Sequence, residues 1–188
     1  TADAQTRAYG DANPTLTASY SGFVNSETSA VLSTPVSLTT TATTATGVGT
    51  TTITASSAVA TNYAITHVNG VLTITTRPIT VTADAQTKVY GTTDPSLTYV
   101  GTALVNSDVY SGSLTRTAGT STGSYAITQG TVTAGANYAI TYVGANLTIT
   151  AQPLTVTAIA TGKERLAVDP TLTYTGTSSL VTGDAFTG

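Results

Sequence analysis

Apolar and polar residues alternate with a period of two along most of the chain. In Ile79–Ala83 single threonines separate the apolar residues, and Leu72–Thr75 shows the same alternation. This period is typical of strands that bury one face. No stretch longer than eight residues has a convincing period of 3.6, and the best place for a single helical turn is Leu104–Val109, with its counterpart Val24–Ser29. The pattern therefore predicts an all-β fold with at most one short helical turn.

A hairpin is predicted where two alternating runs flank an Asn-Gly pair. The runs are Tyr63–Val68 and Val71–Thr75, and Asn69-Gly70 lies between them. Asn-Gly favours a two-residue turn because both positions adopt positive φ at little cost. Later in the chain Gly144-Ala145 takes this place. That pair is a weaker turn signal, so a bulge is the alternative there.

Internal repeats determine the predicted organisation. Thr82–Thr87 repeats the opening Thr1–Thr6, and Asn137–Thr141 repeats Asn62–Thr66. The spacing between copies is longer at the start of the unit than at its end, so the first copy carries about six extra residues. We place them in the Thr-rich stretch Thr39–Thr52, as a lengthened loop or hairpin tip.

The repeats predict three modules, called here the first, second and third repeat. The first spans residues 1–77 and lacks its leading strand residues, the second spans 78–152 and is complete, and the third spans 153–188 and is partial. Each complete unit has about six predicted strands. An immunoglobulin-like sandwich and a β-grasp-like variant with a short helical turn both fit this pattern.

The modules are predicted to follow one another end to end with almost no linker. Arg77-Pro78 and Gln152-Pro153 lie at the boundaries. Proline fixes its own φ and biases the preceding residue towards extended backbone. A unit this small has a limited core, so contact with its neighbours should help to stabilise it. We expect a stiff rod, whose terminal half unit is either poorly packed or completed by another chain.

Composition narrows the possible partners. Charged residues make up 8% of the 188 positions, with a net charge of −3, against about 25% in typical soluble domains. The six basic residues are scattered, which argues against nucleic acid as a partner. No apolar run approaches the ~18–20 residues of a membrane span, so no membrane insertion is expected from this segment. The absence of cysteine removes disulfides and thiolate sites.

No residue pattern indicates an enzyme, and no catalytic, cofactor-binding or metal residue is predicted. The single histidine, His67, has Tyr142 as its counterpart, which favours a strand-face position over a catalytic triad. No Asp-x-Asp-x-Asp-Gly calcium loop is present. The acids weighed as possible calcium ligands are spread singly, at Asp11, Glu27, Asp94, Asp108 and Asp184. Asp94 and Asp169 precede prolines and are interpreted as turn residues.

Two further sets of residues recur in every unit. The basic residues Arg7, Lys88 and Lys163 are interpreted as solvated cations at a strand edge. A Lys–Asn crosslink is the alternative, but arginine cannot form that bond. The recurring tyrosines, among them Tyr9 with Tyr90 and Tyr63 with Tyr138, are interpreted as packing residues.

Several spaced motifs resemble those of the MBG domain family. They are the string Tyr90–Thr98, the run Leu104–Asp108, the segment Gly123–Ile127, and an ending formed by Asn137–Thr141 and Leu147–Thr150. The resemblance covers essentially the whole chain, except that Arg165-Leu166 stands in place of Tyr-Gly in the third repeat. It implies an extracellular repeat of large bacterial surface or secreted proteins, often of the filamentous-haemagglutinin or adhesin type, and no catalytic residues.

The function expected from these observations is structural. The repeats would form a stalk that holds a distal binding domain away from a bacterial cell, at the cell surface or in a secreted protein. One alternative is direct adhesion, in which many weak sites for a host glycan or protein gain avidity from repetition. Another is a self-associating matrix or filament subunit.

Overall fold

The computed structural model describes residues 1–176 and 180–185 and is almost entirely β in that part of the chain. The strands are β1 (Gln5–Ala8), β2 (Ser37–Thr39), β3 (Gly49–Ser56), β4 (Gly70–Thr75), β5 (Arg77–Ala83), β6 (Gln86–Val89), β7 (Tyr99–Gly101), β8 (Thr115–Arg116), β9 (Gly123–Thr128), β10 (Tyr138–Val143), β11 (Ala145–Thr150), β12 (Val156–Ala158) and β13 (Tyr174–Gly176). A single 3₁₀ turn lies at Ser29–Val31. The all-β prediction is confirmed.

The second repeat is built around two long runs that each pass from one sheet to another. β5 and β6 form the first run, interrupted only at Asp84-Ala85, and β10 and β11 form the last run, interrupted only at Gly144. The two runs are parallel throughout, with Arg77 opposite Tyr138 at one end and Val89 opposite Thr150 at the other. Each run therefore counts as two strands, which raises the predicted six to seven.

The two sheets of the second repeat share one core. The order is β10–β5–β7 in one sheet and β6–β11–β9–β8 in the other. Val81 from the first sheet and Ile127 and Leu147 from the second are at most 2% exposed and belong to the same cluster. Of the two architectures left open by the sequence, the structure has the two-sheet sandwich, with a parallel pairing between its first and last strands.

This parallel pairing separates the two ends of the repeat. The chain enters the second repeat at Arg77 and leaves it at Thr150, which lies beside Val89 at the far end of the first run. In the first repeat β1 and β4 are also parallel, and β4 ends only one residue before β5 begins. Successive repeats therefore follow one another in a line.

The extra residues of the first repeat lie mainly outside the predicted stretch. The antiparallel pair β2–β3 corresponds to β8–β9, since Thr39 lies opposite Thr54 and Thr115 opposite Thr128. Most of the added length comes before Thr39, in the connection that contains the 3₁₀ turn, and only a small part lies in the loop to β3. The placement in Thr39–Thr52 was wrong because threonine-rich composition does not distinguish a strand edge from a loop.

The predicted hairpin at Asn69-Gly70 is wrong. Tyr63–Val68 and β4 run in the same direction, as β10 and β11 do, and do not pair with each other. The Asn69 side chain accepts a hydrogen bond from the amide of Ala55 at 3.1 Å. A Cβ on Gly70 would lie 2.6 Å from the carbonyl oxygen of Ala2. The glycine permits this close approach between backbones, and no chain reversal is involved.

The predicted helical turn at Leu104–Val109 is a tight left-handed turn. Asn106 and Ser107 have φ of 53° and 64°, and the amide of Asp108 donates to the carbonyl of Val105 at 3.0 Å. Asparagine tolerates this conformation better than most residues. The first repeat has the same turn at the corresponding place. The first and second repeats therefore share the same turn geometry.

The third repeat has only the beginning of a fold in the described residues. β12 and β13 form a two-stranded antiparallel sheet, and every residue from 151 to 176 is exposed. Lone two-stranded sheets are at best marginally stable in water. Completion of this half unit by another chain stays a prediction.

Candidate interaction sites: the joints between repeats

A basic residue early in each repeat is bound to a side chain in the loop that follows it. Lys88 donates from Nζ to Oδ1 of Asp94 at 2.7 Å, and Arg7 donates from Nε to Oδ1 of Asn13 at 2.8 Å. Lys163 forms the equivalent ion pair with Asp169. In each case the partner lies six residues on and precedes a proline. We call this contact the clamp, because it closes the loop between the basic residue and the residue that precedes the proline.

This arrangement corrects the interpretation as solvated strand-edge cations for Arg7 and Lys88, while the side chain of Lys163 is 45% exposed. Arg7 is 6% exposed, and the Lys88 side chain is 10% exposed. A buried cation must be paired or hydrogen-bonded, and Arg7 also donates to the carbonyls of Ala8 and Thr43. The alternation placed the residues on a strand correctly but did not reveal the loop that folds back over them.

Asp94 is the centre of the second repeat's clamp. Besides Lys88, it accepts a hydrogen bond from Nε of Arg116 at 2.6 Å, and the Arg116 guanidinium lies 5.5 Å from the centre of the Tyr125 ring. The hydrogen bonds from Arg116 and Lys88 lower the pKa of Asp94 to about 2. The sequence analysis assigned Asp94 to a turn, whereas in the structure its carboxylate binds the side chains of two cations.

The closed loops of the first and second repeats each present a Tyr-Gly pair on the side that meets the next repeat. Gly10 has φ of 84° and Gly91 has φ of 83°. This left-handed conformation is natural for glycine and costs other residues energy. Tyr9 is 4% exposed although it lies at the end of the first repeat. The residues that bury it come from the next repeat.

The receiving surface is the left-handed turn of the second repeat. Oδ2 of Asp108 accepts hydrogen bonds from the hydroxyls of Tyr9 at 3.0 Å and Tyr138 at 2.9 Å. The two rings meet edge to face, with centroids 5.5 Å apart and planes at 82°. Gly10 lies against Val105 so closely that a Cβ there would be 2.3 Å from Cγ2 of the valine. Burial raises the pKa of Tyr138, as does the hydrogen bond to Asp108, so this phenol remains a donor.

Polar contacts surround this first joint. Arg77 donates to the carbonyl of Tyr9 at 3.1 Å and pairs with Asp11 at 2.7 Å. Asn106 donates to the carbonyl of Thr44 at 3.0 Å, and Asn137 accepts from the amide of Val48 at 3.0 Å. The buried cluster runs without a break through the joint, from Ile53 and Leu72 in the first repeat to Ile79 and Tyr138 in the second. The two repeats therefore share one core.

A second joint repeats the motif between the second and third repeats. The Tyr90 hydroxyl donates to Oδ1 of Asp184 at 3.1 Å, which raises the pKa of the tyrosine. A Cβ on Gly91 would lie 2.4 Å from Cγ2 of Val181. The joint thus has a fixed pairing: Tyr-Gly on one repeat meets Val-x-x-Asp on the next.

The acids weighed as calcium ligands lie apart and have other partners. Asp11 pairs with Arg77, Asp94 with two cations, and Asp108 and Asp184 accept from tyrosines. Glu27 accepts from the Tyr63 hydroxyl. Across residues 1–176 and 180–185 no three potential metal ligands come together. His67 accepts a hydrogen bond from the amide of Ala58 through Nε2 at 3.1 Å.

Sequence reasoning found both halves of the joint but did not connect them. Tyr90-Gly91 and Leu104–Asp108 were recognised as recurring motifs. The useful signal was that the Tyr-Gly pair and the later run recur at the same spacing. An Asp or Glu ends that run in each repeat. Nothing in a single repeat shows that its own Tyr-Gly meets the turn of the following repeat.

Comparison with known proteins identifies a family across most of the chain. The family described as the MBG domain (YGX type) matches residues 1–73 and again residues 79–148. No curated protein and no solved structure matches the chain. In the described residues no helix has the length and apolar character needed to cross a bilayer.

Proposed function

Because the chain belongs to the MBG domain (YGX type) family, a repeat domain of extracellular surface proteins and not an enzyme family, we propose that it acts as a stalk. In this proposal the repeats belong to a bacterial cell-surface or secreted adhesin. They hold a binding domain at a distance from the cell. The partners required of them are the neighbouring repeats of the same chain.

The observation that carries this proposal is the arrangement of the repeat ends. The parallel first and last runs place the two ends of the second repeat on opposite sides. The joint then fixes the next repeat through a shared core and does not depend on a flexible linker. A chain of such units gains length with every copy, which is the property that a spacer needs.

Direct adhesion is the second candidate. The side chains most suited to bind a ligand, the recurring tyrosines and acids, are used at the joints: Tyr9 with Asp108, and Tyr90 with Asp184. This use favours the stalk. A glycan array probed with the soluble chain separates the two, since reproducible binding to a defined glycan would favour adhesion.

Small-angle scattering tests the stalk directly. Chains with two, four and six copies of residues 78–152 should lengthen by about 40 Å per copy, given about 3.3 Å per residue along the first run. A matched series with Gly91→Ala in every copy opens the joints and should lengthen less steeply, approaching the square-root growth of a flexible chain. A maximum dimension that does not rise with copy number would contradict the proposal.

A further inference from the structure

The two sheets of the second repeat have four edge strands, and three of these are protected against pairing with another chain. The edges are β10 and β7 in one sheet and β6 and β8 in the other. An unpaired edge attracts other strands, and a short strand or a charged side chain at the edge prevents this. β7 has three residues, β8 has two and carries Arg116, and β6 has four and carries Lys88.

The fourth edge strand, β10, has none of these protections. It has six residues, Tyr138–Val143, and contains neither a charged residue nor a proline. In the part of the chain that the structure describes, β5 is its only partner strand. The second repeat contacts a neighbouring repeat through Asp108 and another through Tyr90. The free edge is therefore a property of a repeat that is joined on both sides.

The backbone groups of β10 alternate between β5 and the open side. In a parallel pair every second residue directs both its amide and its carbonyl to the neighbouring strand. The carbonyl of Asn137 accepts from the amide of Arg77 at 2.9 Å, so every second residue from Asn137 onward faces β5. Ile140 and Tyr142 therefore direct their backbone groups to the open side.

The side chains of the same two residues are incompletely covered. Their partners on β5, Ile79 and Val81, are 3% and 0% exposed. Ile140 and Tyr142 pack against the same core but are only half-buried. A further strand beside β10 would cover them as β10 covers its neighbour.

We propose that β10 pairs in antiparallel orientation with β10 of a second copy of the chain. A two-fold arrangement centred on Ile140 places this residue opposite its own copy, and Tyr142 opposite Tyr138 of the second copy. The register pairs the outward-facing residues of the two strands with one another, so that main-chain hydrogen bonds form across the open edge. On the exposed face, each Thr141 lies opposite Ala139 of the second copy.

The charge of this sheet fits a second copy as the partner. Among the residues of β5, β7 and β10 the only charged one is Arg77, which is paired with Asp11. Val143, Thr82 and Val100 lie in one row across the three strands. Two copies can therefore approach side by side without opposing like charges. In an array, one pairing for each complete repeat would add to the next.

Sedimentation of the full chain tests the pairing with two matched substitutions. Thr141→Lys places a charge on the pairing edge, where the two copies of the lysine lie diagonally across from each other. Thr80→Lys places the same charge directly opposite Thr141 on β5, one strand away from the edge. We expect the full chain to dimerise at millimolar concentration. Thr141→Lys should raise the dissociation constant about tenfold or more, and Thr80→Lys less than about twofold. A full chain that stays monomeric, or equal effects of the two lysines, would overturn the proposal.

Amide hydrogen exchange locates the contact. The amides of Ile140 and Tyr142 should exchange more slowly as the chain concentration rises, whereas those of Ala139 and Thr141, already bonded to β5, should keep their rates. Unchanged exchange at Leu147 in both lysine variants is the control for folding. Association without slower exchange at Ile140 and Tyr142 would also overturn the proposal, because the copies would then meet elsewhere.

Side-by-side pairing goes beyond the stalk and does not depend on it. A monomeric chain would contradict the pairing of β10 but would leave the end-to-end growth measured by scattering unchanged. The two proposals therefore fail separately.

Discussion

The two joints use the same motif but bury their tyrosines to different extents. In the first, Tyr9 is 4% exposed and stacks edge to face on Tyr138. In the second, Tyr90 makes the equivalent hydrogen bond to Asp184 but remains partly exposed. The Tyr-Gly motif makes the contact at both joints. At the first joint, Tyr138 of the second repeat also covers the Tyr9 ring.

Burial of Tyr9 at the first joint depends on the last run of the second repeat. Tyr138, which meets the Tyr9 ring edge to face, lies on β10 in that run. The turn alone, with Val181 and Asp184, makes the contact without burying the ring. We therefore expect the second repeat to stabilise the first through this joint.

The largest expected effect is a difference in stability between matched glycine substitutions at the two joints. Gly10→Ala and Gly91→Ala impose the same positive-φ cost of about 1–2 kcal/mol. At both sites the new Cβ also meets a valine, Val105 at Gly10 and Val181 at Gly91. Only Val105 packs against the buried core, so the cost of displacing it, about 1–3 kcal/mol, is expected at Gly10. We expect urea denaturation to show that the free energy of unfolding falls by about 3 kcal/mol in Gly10→Ala and by about 1 kcal/mol in Gly91→Ala. Equal losses would mean that both joints are equally packed.

The shared carboxylate is the next target. Asp108→Ala removes the acceptor of two tyrosine hydroxyls, and hydrogen bonds to a charged group contribute about 1.5–3 kcal/mol. We expect a loss of about 2 kcal/mol, against less than about 0.5 kcal/mol for Asp184→Ala at the exposed joint. A double-mutant cycle between Asp108→Ala and Tyr9→Phe provides the control. Additive losses would show that Tyr9 and Asp108 are not coupled.

A third substitution concerns the missing Tyr-Gly of the third repeat. Leu166 holds φ of 74° and is 95% exposed. Leu166→Gly removes the left-handed strain, worth about 1 kcal/mol, without loss of packing. Amide hydrogen exchange at Val156 and Ala158 should slow in the variant, while exchange at Ile53 stays unchanged as the internal control. Faster exchange in the variant would show that Leu166 stabilises the loop as it is.

The smallest effect is the pH dependence of the clamps. Asp94 has its pKa lowered to about 2 in the folded chain, below the usual value near 3.9. The ionised Asp94 therefore makes its full contribution to folding stability above about pH 4, and this contribution is lost as the pH falls towards 2. The first repeat uses the neutral Asn13 instead. NMR at decreasing pH should show the amides around Asp94 changing as the pH falls towards 2, and Asp94→Asn should abolish that change. An unaltered acid transition at these amides in Asp94→Asn would contradict this.

The sequence predicted the strands better than the contacts between them. The alternation in Ile79–Ala83 identified a buried face correctly, because period two is a local property. The direction of pairing is not local, so Asn69-Gly70 was assigned to a hairpin that the fold does not contain. The joint could not be predicted either, since Tyr9 and Asp108 are almost a hundred residues apart. Their shared recurrence was visible, but its meaning depends on how the ends of the runs are placed.

The parallel pairing of the first and last runs also determines how a repeat carries a pulling force. Tension applied through the two ends of the second repeat pulls Arg77 and Thr150 in opposite directions along neighbouring strands. Six residue pairs between β5 and β10 and four between β6 and β11 then lie across the load. They share it and must give way together, whereas the pairs of a hairpin pulled at its open end separate one at a time. An array of such repeats would behave as a tether that stays at full length until a whole repeat shears.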